Sequence, residues 1–332
     1  MITDTSKRIL EYIRSNRQAR VVELARVLGL TKASVHRQLN KLVEQEKIMK
    51  MGKPPVVFYV LREKEDRPSV SFPQEVGDFI DENYVYVSPA GEMLIGVLGF
   101  TRWVRAVNQE KYLLSLANEY VKVRKDANGF ITSYGWVDAT EAKEKAVFEE
   151  NMLNKLIYKD FYSLEKFGKT RLGQMVMYAK MSQNIRIIDA IVEQIKPTIE
   201  KIIEVYKIDT IVYIPPSIKR EVQLMTELRA GLRIHLSEIA LVKAYAGDVV
   251  VSQKSLSKLQ ERVVNARDTI FIDFQKSPEH PKNVLIIDDA VGSGATLHET
   301  AKKIQHLLQP GGHIIGFAIV GSMKGFEVIR EI

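Results

Sequence analysis

Apolar positions near the start of the chain recur at helical spacing three times, and then the pattern changes to short alternating runs. In residues 5–15, TSKRILEYIRS, Ile9, Leu10 and Ile13 share one face. In VVELARVL the face is Val21, Leu24, Ala25 and Leu28. A third helix is expected after Gly29, which marks a turn, and Thr31, a good N-cap, with Val35, Leu39, Leu42 and Val43 inward. IMKM and VVFYVL, joined by GKPP, then read as a hairpin. Residues 62–74, REKEDRPSVSFPQ, are charged and Pro- and Ser-containing, which suits a linker. From about 76 to 146 short strands mix with helices, including a helical QEKYLLSLANEYVKVRKD and a hairpin expected at Asn128-Gly129. From Lys207 onward strands and helices alternate: DTIVYIPPS, EVQLMTELRAGL, EIALVKAY, NVLIIDD, TLHETAKKIQHLL and HIIGFAIVGS. Such alternation predicts an α/β unit with a mostly parallel sheet and helices on both faces.

Charge sharpens the reading of the first segment. Residues 1–70 hold 15 Lys/Arg against 8 Asp/Glu, while the other 262 residues hold 33 of each, so the whole net charge of +7 sits in the first fifth of the chain. Three helices with a tight turn between the last two, followed by a basic hairpin, form the pattern of a winged helix-turn-helix. A basic module of this kind is the electrostatic footprint of a polyanion binder. The first turns of the third helix offer Lys32, Ser34, His36, Arg37 and Asn40 to a major groove, and the hairpin offers Lys50 and Lys53 to phosphates. Double-stranded DNA is the expected partner, the alternative being a winged helix used for protein contacts.

Other classes are excluded more briefly. The chain has no cysteine, hence no disulfide, thiolate zinc site or cysteine nucleophile. Histidines at 36, 235, 280, 298, 306 and 313 lack ligand spacing, so no protein-built metal site is expected. No apolar run is long enough to span a membrane and no signal pattern opens the sequence, which implies a cytoplasmic location and no membrane partner. Trp103, Tyr134 and Trp136 read as core or interface aromatics. The middle segment carries no catalytic constellation.

The chemistry concentrates in NVLIIDDAVGSGATLHET. A buried strand ends in Asp288 and Asp289, at the carboxyl edge where parallel sheets bind ligands. Gly292, Ser293, Gly294, Ala295 and Thr296 follow, a loop of exposed backbone amides and two hydroxyls that opens a helix expected to start at Leu297. Amides and helix dipole together cradle one phosphate. Adjacent carboxylates suit a pair of neighbouring hydroxyls, so a ribose 5-phosphate would satisfy both halves. The loop lacks the Lys of a triphosphatase P-loop and does not match GxGxxG.

VLIIDDAVGSGAT closely resembles the signature of type I phosphoribosyltransferases, which bind phosphoribosyl pyrophosphate (PRPP). The resemblance implies that Asp288 and Asp289 hold the ribose hydroxyls, with Mg²⁺ carried by PRPP or pyrophosphate, and that Ala290, Val291, Gly292, Ser293, Gly294, Ala295 and Thr296 hold the 5-phosphate. Gly292 departs from the family, which usually has a hydroxyl residue there. The likeness extends to the ComF-like branch over residues 161–321. Gln253, Leu256, Arg262, Asn265 and Phe271 match its Q-x-x-L…R-x-x-N…F segment, and Lys180 matches a cation that ends another. The loop IPPSIKR falls where the family contacts pyrophosphate, which nominates Pro216, Ser217, Lys219 and Arg220, with Lys243 nearby; Arg262 and Asn265 equally suit a hood over the site, and Glu238 a structural role.

Together these readings give an N-terminal winged helix-turn-helix (residues 1–66), a linker and small α+β middle segment (67–150) and a phosphoribosyltransferase-like domain (151–332). The expected function is a DNA-binding protein, a transcriptional regulator, whose second domain binds PRPP or a nucleotide. Such a combination resembles the purine-repressor plan. The alternative is an active Mg²⁺-dependent phosphoribosyltransferase acting on a base or a nucleic-acid-linked acceptor, in nucleotide metabolism, DNA processing or defence. A homodimer is expected, since winged-helix readers commonly pair to match two half-sites.

Overall fold

Helices α1 (Asp4–Asn16), α2 (Val21–Leu28) and α3 (Lys32–Glu44) form where the apolar spacing places them. They close over Ile9, Ile13, Leu24, Val35, Leu39 and Leu42, all without solvent exposure. Val43, expected on the inner face, is 36% exposed. The α2–α3 turn is made by Gly29 at φ 67°, ψ 31°, a left-handed conformation that glycine adopts without steric cost. Thr31 caps α3, its hydroxyl accepting from the Ser34 amide at 3.2 Å. Strands β1 (Ile48–Lys53) and β2 (Val56–Leu61) pair antiparallel, Ile48 opposite Leu61 and Lys53 opposite Val56. Ala19 bridges to Tyr59, fastening the hairpin onto the helices.

In the computed structural model, residues 4–62, 72–141, 152–218, 220–247, 251, 256 and 258–323 are described. The chain divides into two compact units, Met1–Ser71 and Phe72–Ile332. Most of the linker expected at 62–74 lies outside the described residues, as do Lys219 and Gln253.

The second unit opens with α4 (Gln74–Asn83), a hairpin of β3 (Val85–Val87) and β4 (Met93–Ile95), then α5 (Gly96–Ala106) and α6 (Leu113–Asn128). Tyr84, Phe100, Trp103 and Tyr120 pack ring to ring with centroids 5.1–6.2 Å apart. Trp103 and Tyr120 also meet Phe167 at 5.6 and 5.3 Å, so the middle segment packs onto the domain that follows it. Arg124 on α6 reinforces this with a 2.8 Å ion pair to Asp160. Trp136 is buried, and Tyr134, 53% exposed, stacks on it at 4.9 Å.

The hairpin expected at Asn128-Gly129 is corrected. Asn128 is the last residue of α6, and the Gly129 amide bonds back to Lys125 and Asp126 with φ −61°, not the positive φ of a tight hairpin turn. The chain reverses later, where Gly135 at φ 80° lets Ile131 bridge to Val137.

Strand β5 (Val137–Asp138) then joins the main sheet. Its other members are β6 (Lys155–Phe161), β9 (Thr210–Tyr213), β10 (Ser237–Glu238), β13 (Asn283–Val291) and β14 (His313–Gly321), in the order β10-β9-β13-β14-β6-β5. Every neighbouring pair is parallel except β5 with β6. The near-continuous apolar runs of β13 and β14 are those of strands covered on both faces. On one face Leu285, Ile287, Ile315 and Phe317 pack against α7 (Arg171–Ser182), α8 (Ile185–Tyr206) and α9 (Leu224–Leu232). On the other lies α11 (Ala295–Gln305), whose Leu297 sits over Gly316; a Cβ there would come 3.2 Å from it. Helix α10 (Leu259–Thr269) packs on α11.

EIALVKAY, expected as one strand, is split. After β10 the Ala240 amide is captured by the Ser277 hydroxyl at 3.1 Å and its carbonyl by the Asp273 amide at 2.9 Å. The chain thus leaves the sheet edge, and β11 (Leu241–Lys243) pairs instead with β12 (Ile270–Ile272). A further short ribbon, β7 (Ser163–Leu164) with β8 (Gly168–Lys169), precedes α7.

Candidate functional site

In the first unit, burial of Val35, Leu39 and Leu42 leaves Lys32, His36, Arg37 and Asn40 exposed along the opposite side of α3. Ser34 is half-buried, with its amide spent on the Thr31 cap. Lys50 and Lys53 are exposed on the hairpin. At its tip Gly52 holds φ 84°, and a Cβ there would lie 2.5 Å from the Val56 carbonyl oxygen, so the close approach requires glycine. The arrangement is a helix with a polar outer face beside a basic two-stranded wing.

In the second unit β13 continues through the acidic pair to Val291, two residues past Asp289, where the strand was expected to end. Helix α11 begins at Ala295, not Leu297, because Gly294 at φ 79° serves as N-cap and its carbonyl accepts from the His298 amide at 2.9 Å. Strand, loop and helix N-terminus therefore meet within four residues, with the first-turn amides facing the loop.

The two carboxylates have different environments. The Asp288 carboxylate accepts from the Asp289 amide at 2.8 Å and is pushed up to about 7, chiefly by burial and then by the charge of Asp289, against the pull of Lys180 and Lys243. Asp289 is ion-paired with Lys180 of α7. Lys243 donates to the Ser217 hydroxyl at 2.8 Å, and burial lowers its pKa against the opposing attraction of Asp288. The Tyr245 hydroxyl donates to the Ser217 carbonyl at 3.3 Å, and Arg220 donates to the Lys180 carbonyl. Loop 214–218, the end of α7 and the acidic pair are thus tied together from three parts of the chain.

Two cavities open on this centre. One, about 450 Å³, is lined by all seven loop positions 290–296, with Tyr162, Met177 and Arg262 opposite. The other, about 220 Å³, is lined by Pro216, Ser217, Arg220 and Lys243. They share Lys180, Asp288, Ala290 and Thr296 as a common wall. Around them the described residues place Lys180, Arg220, Lys243 and Arg262 against Asp288 and Asp289, an excess of positive charge suited to a ligand with more than one negative charge.

Not every nominated residue is gathered in. Asn265 lines neither cavity; its side-chain amide donates to the Val251 carbonyl at 3.4 Å. Glu238 pairs with Arg229 at 2.9 Å at the sheet edge. Tyr162 and Met177 line the loop cavity without having been legible in the sequence, and Tyr245 braces Ser217 from outside both cavities. Their side-chain types carry no signal of their own, and the fold alone brings them to the site. Among the described residues no three His, Asp or Glu side chains cluster as a metal cage.

Residues 2–49 match the family model for winged helix-turn-helix DNA-binding, which spans α1 to α3 and the start of the wing. The first unit is a DNA-binding winged helix, and the second carries a six-stranded, mostly parallel sheet. No curated protein matches the chain. Among the described residues no helix is long and apolar enough to cross a membrane.

Proposed function

We propose that the chain is a DNA-binding transcriptional regulator whose α/β unit binds PRPP or a related nucleotide and thereby sets its affinity for DNA. The observation that carries the ligand half is the junction of Asp288 and Asp289 with an amide-rich loop and a helix N-terminus between two cation-lined cavities. A ribose would sit against the acidic pair, its 5-phosphate on loop 290–296, and its pyrophosphate beside Ser217, Arg220 and Lys243; Lys219 belongs to the same loop by sequence. Asp288 and Asp289 offer hard oxygen ligands, and Mg²⁺ is commonly held by one or two carboxylates together with ligand phosphates. They would hold Mg²⁺ jointly with the ligand, and the ion would neutralise pyrophosphate charge.

In this reading the regulator works as a homodimer on paired half-sites, with Lys32, Ser34, His36, Arg37 and Asn40 at base edges and Lys50 and Lys53 on phosphates. Ligand and DNA affinities are linked reciprocally, so whatever PRPP does to DNA binding, DNA does to PRPP binding. A second reading, an active phosphoribosyltransferase, draws on the division of the cleft, since ribose phosphate and departing pyrophosphate would lie on opposite sides of the acidic pair.

Duplex binding measured over a range of salt, with and without Mg²⁺-PRPP, tests the proposal. Salt-dependent binding that shifts with PRPP is expected. Binding that PRPP leaves unchanged, together with release of pyrophosphate when candidate bases are supplied, would favour the enzyme.

A further inference from the structure

Gly292 is where the loop departs from the pattern it resembles, and its surroundings suggest what replaces the missing hydroxyl. Its backbone is outside the left-handed region, so conformation does not demand glycine there. Space does not demand it either: the nearest atom to a Cβ built at 292 is Arg262 NH1, at an ordinary 3.7 Å. Arg262 reaches this point from α10, which lies some thirty residues earlier in the chain. Its Nε donates to the Leu256 carbonyl at 2.9 Å, which fixes the guanidinium plane, and it lines the loop cavity together with Asp288. It does not line the cavity beside Ser217 and Lys243.

We infer that Arg262 is an anion-contacting residue of the loop cavity, supplying to the phosphate held on loop 290–296 the side-chain contact that Gly292 does not. This rests on the ligand reading above and adds a residue and a chemistry to it. A guanidinium directs paired N–H donors at a phosphate with fixed geometry and brings a full charge where a hydroxyl brings none. The guanidinium stands beside position 292, where a hydroxyl would otherwise be carried. The site thereby gains selectivity for a dianionic phosphate monoester over an uncharged sugar.

The test uses the full chain, with ribose 5-phosphate and inorganic pyrophosphate as separate probes in calorimetry. Arg262→Gln is expected to weaken ribose 5-phosphate binding by about 10- to 100-fold, as for loss of a charge-assisted hydrogen bond. Pyrophosphate binding should be little changed. Arg262→Lys should retain part of the affinity, and adding Gly292→Ser to Arg262→Gln should recover part of the loss, which a merely structural role for Arg262 would not produce. Wild-type affinity for ribose 5-phosphate in Arg262→Gln would overturn the inference and leave the site reading standing. Equal loss of both probes would overturn it as well, by showing a general effect on the cleft. Failure of the wild type to bind either probe would remove the site reading and this inference together.

Discussion

Replacing Asp288 by Asn should stabilise the ligand-free protein, increasingly so as pH rises from about 4 to about 7. In the folded state this carboxyl is raised from its ordinary 3.8 to about 7 by burial and by Asp289. The folded protein therefore holds a proton that the unfolded chain releases between those values, and stability falls as pH rises through that window. Each pH unit between the two values corresponds to about 1.4 kcal/mol, so full ionisation of an isolated group would cost about 4 kcal/mol. Repulsion from Asp289 is part of that cost and is removed by the same substitution, but burial of the neutral amide carries a cost of its own, which leaves about 2 kcal/mol for the substitution to recover. Asparagine keeps an oxygen able to accept from the Asp289 amide, so the 2.8 Å bond has a replacement. For a unit of this size, a gain of about 2 kcal/mol is a rise in Tm of roughly 5 °C. Thermal unfolding of wild type and Asp288→Asn, with a chelator present, at about pH 5 and about pH 8 measures it. A rise at the higher pH that shrinks at the lower is expected. An equal change at both, or a lower Tm for the variant at about pH 8, would refute the electrostatic reasoning.

Two further outcomes follow from local geometry. Gly321→Ala would place a Cβ 1.9 Å from the Tyr158 ring across the β14–β6 pair, and overpacking should cost about 1–3 kcal/mol in urea unfolding of the second unit. In the first unit, Lys50→Ala should weaken duplex binding about equally for all sequences and flatten its salt slope by about one, as for a lost phosphate contact. Arg37→Ala, on the outer face of α3, should instead relax discrimination at particular base pairs by about 1–3 kcal/mol, measured by competition between duplexes.

What was legible in the sequence was local. Gly29, Thr31 and the α3 periodicity identify their turn, cap and face because each signal and its effect lie within a few residues. The acidic pair and the loop after it could be placed for the same reason, since strand end, turn and helix start are contiguous. Competing backbone partners defeated other expectations. Asn128-Gly129 looks like a hairpin turn, yet a helix already sixteen residues long ends there with its amides bonded backward. EIALVKAY reads as one strand until Ser277 and Asp273 take the backbone of Ala240. Lys180 and Arg262 could be tied to the acidic pair only by resemblance, because each lies more than twenty residues from it and their meeting is a property of the tertiary fold.

The central claim is that the acidic pair belongs to a ligand site for a phosphorylated ribose. Calorimetric titration of Mg²⁺-PRPP into the wild type and the Asp288→Asn/Asp289→Asn double variant tests it most directly. Saturable binding by the wild type, lost in a double variant that still unfolds cooperatively, is the expected result. Absence of binding in the wild type, or equal binding in both proteins, would contradict it and leave a winged-helix DNA-binding protein whose second unit serves another purpose.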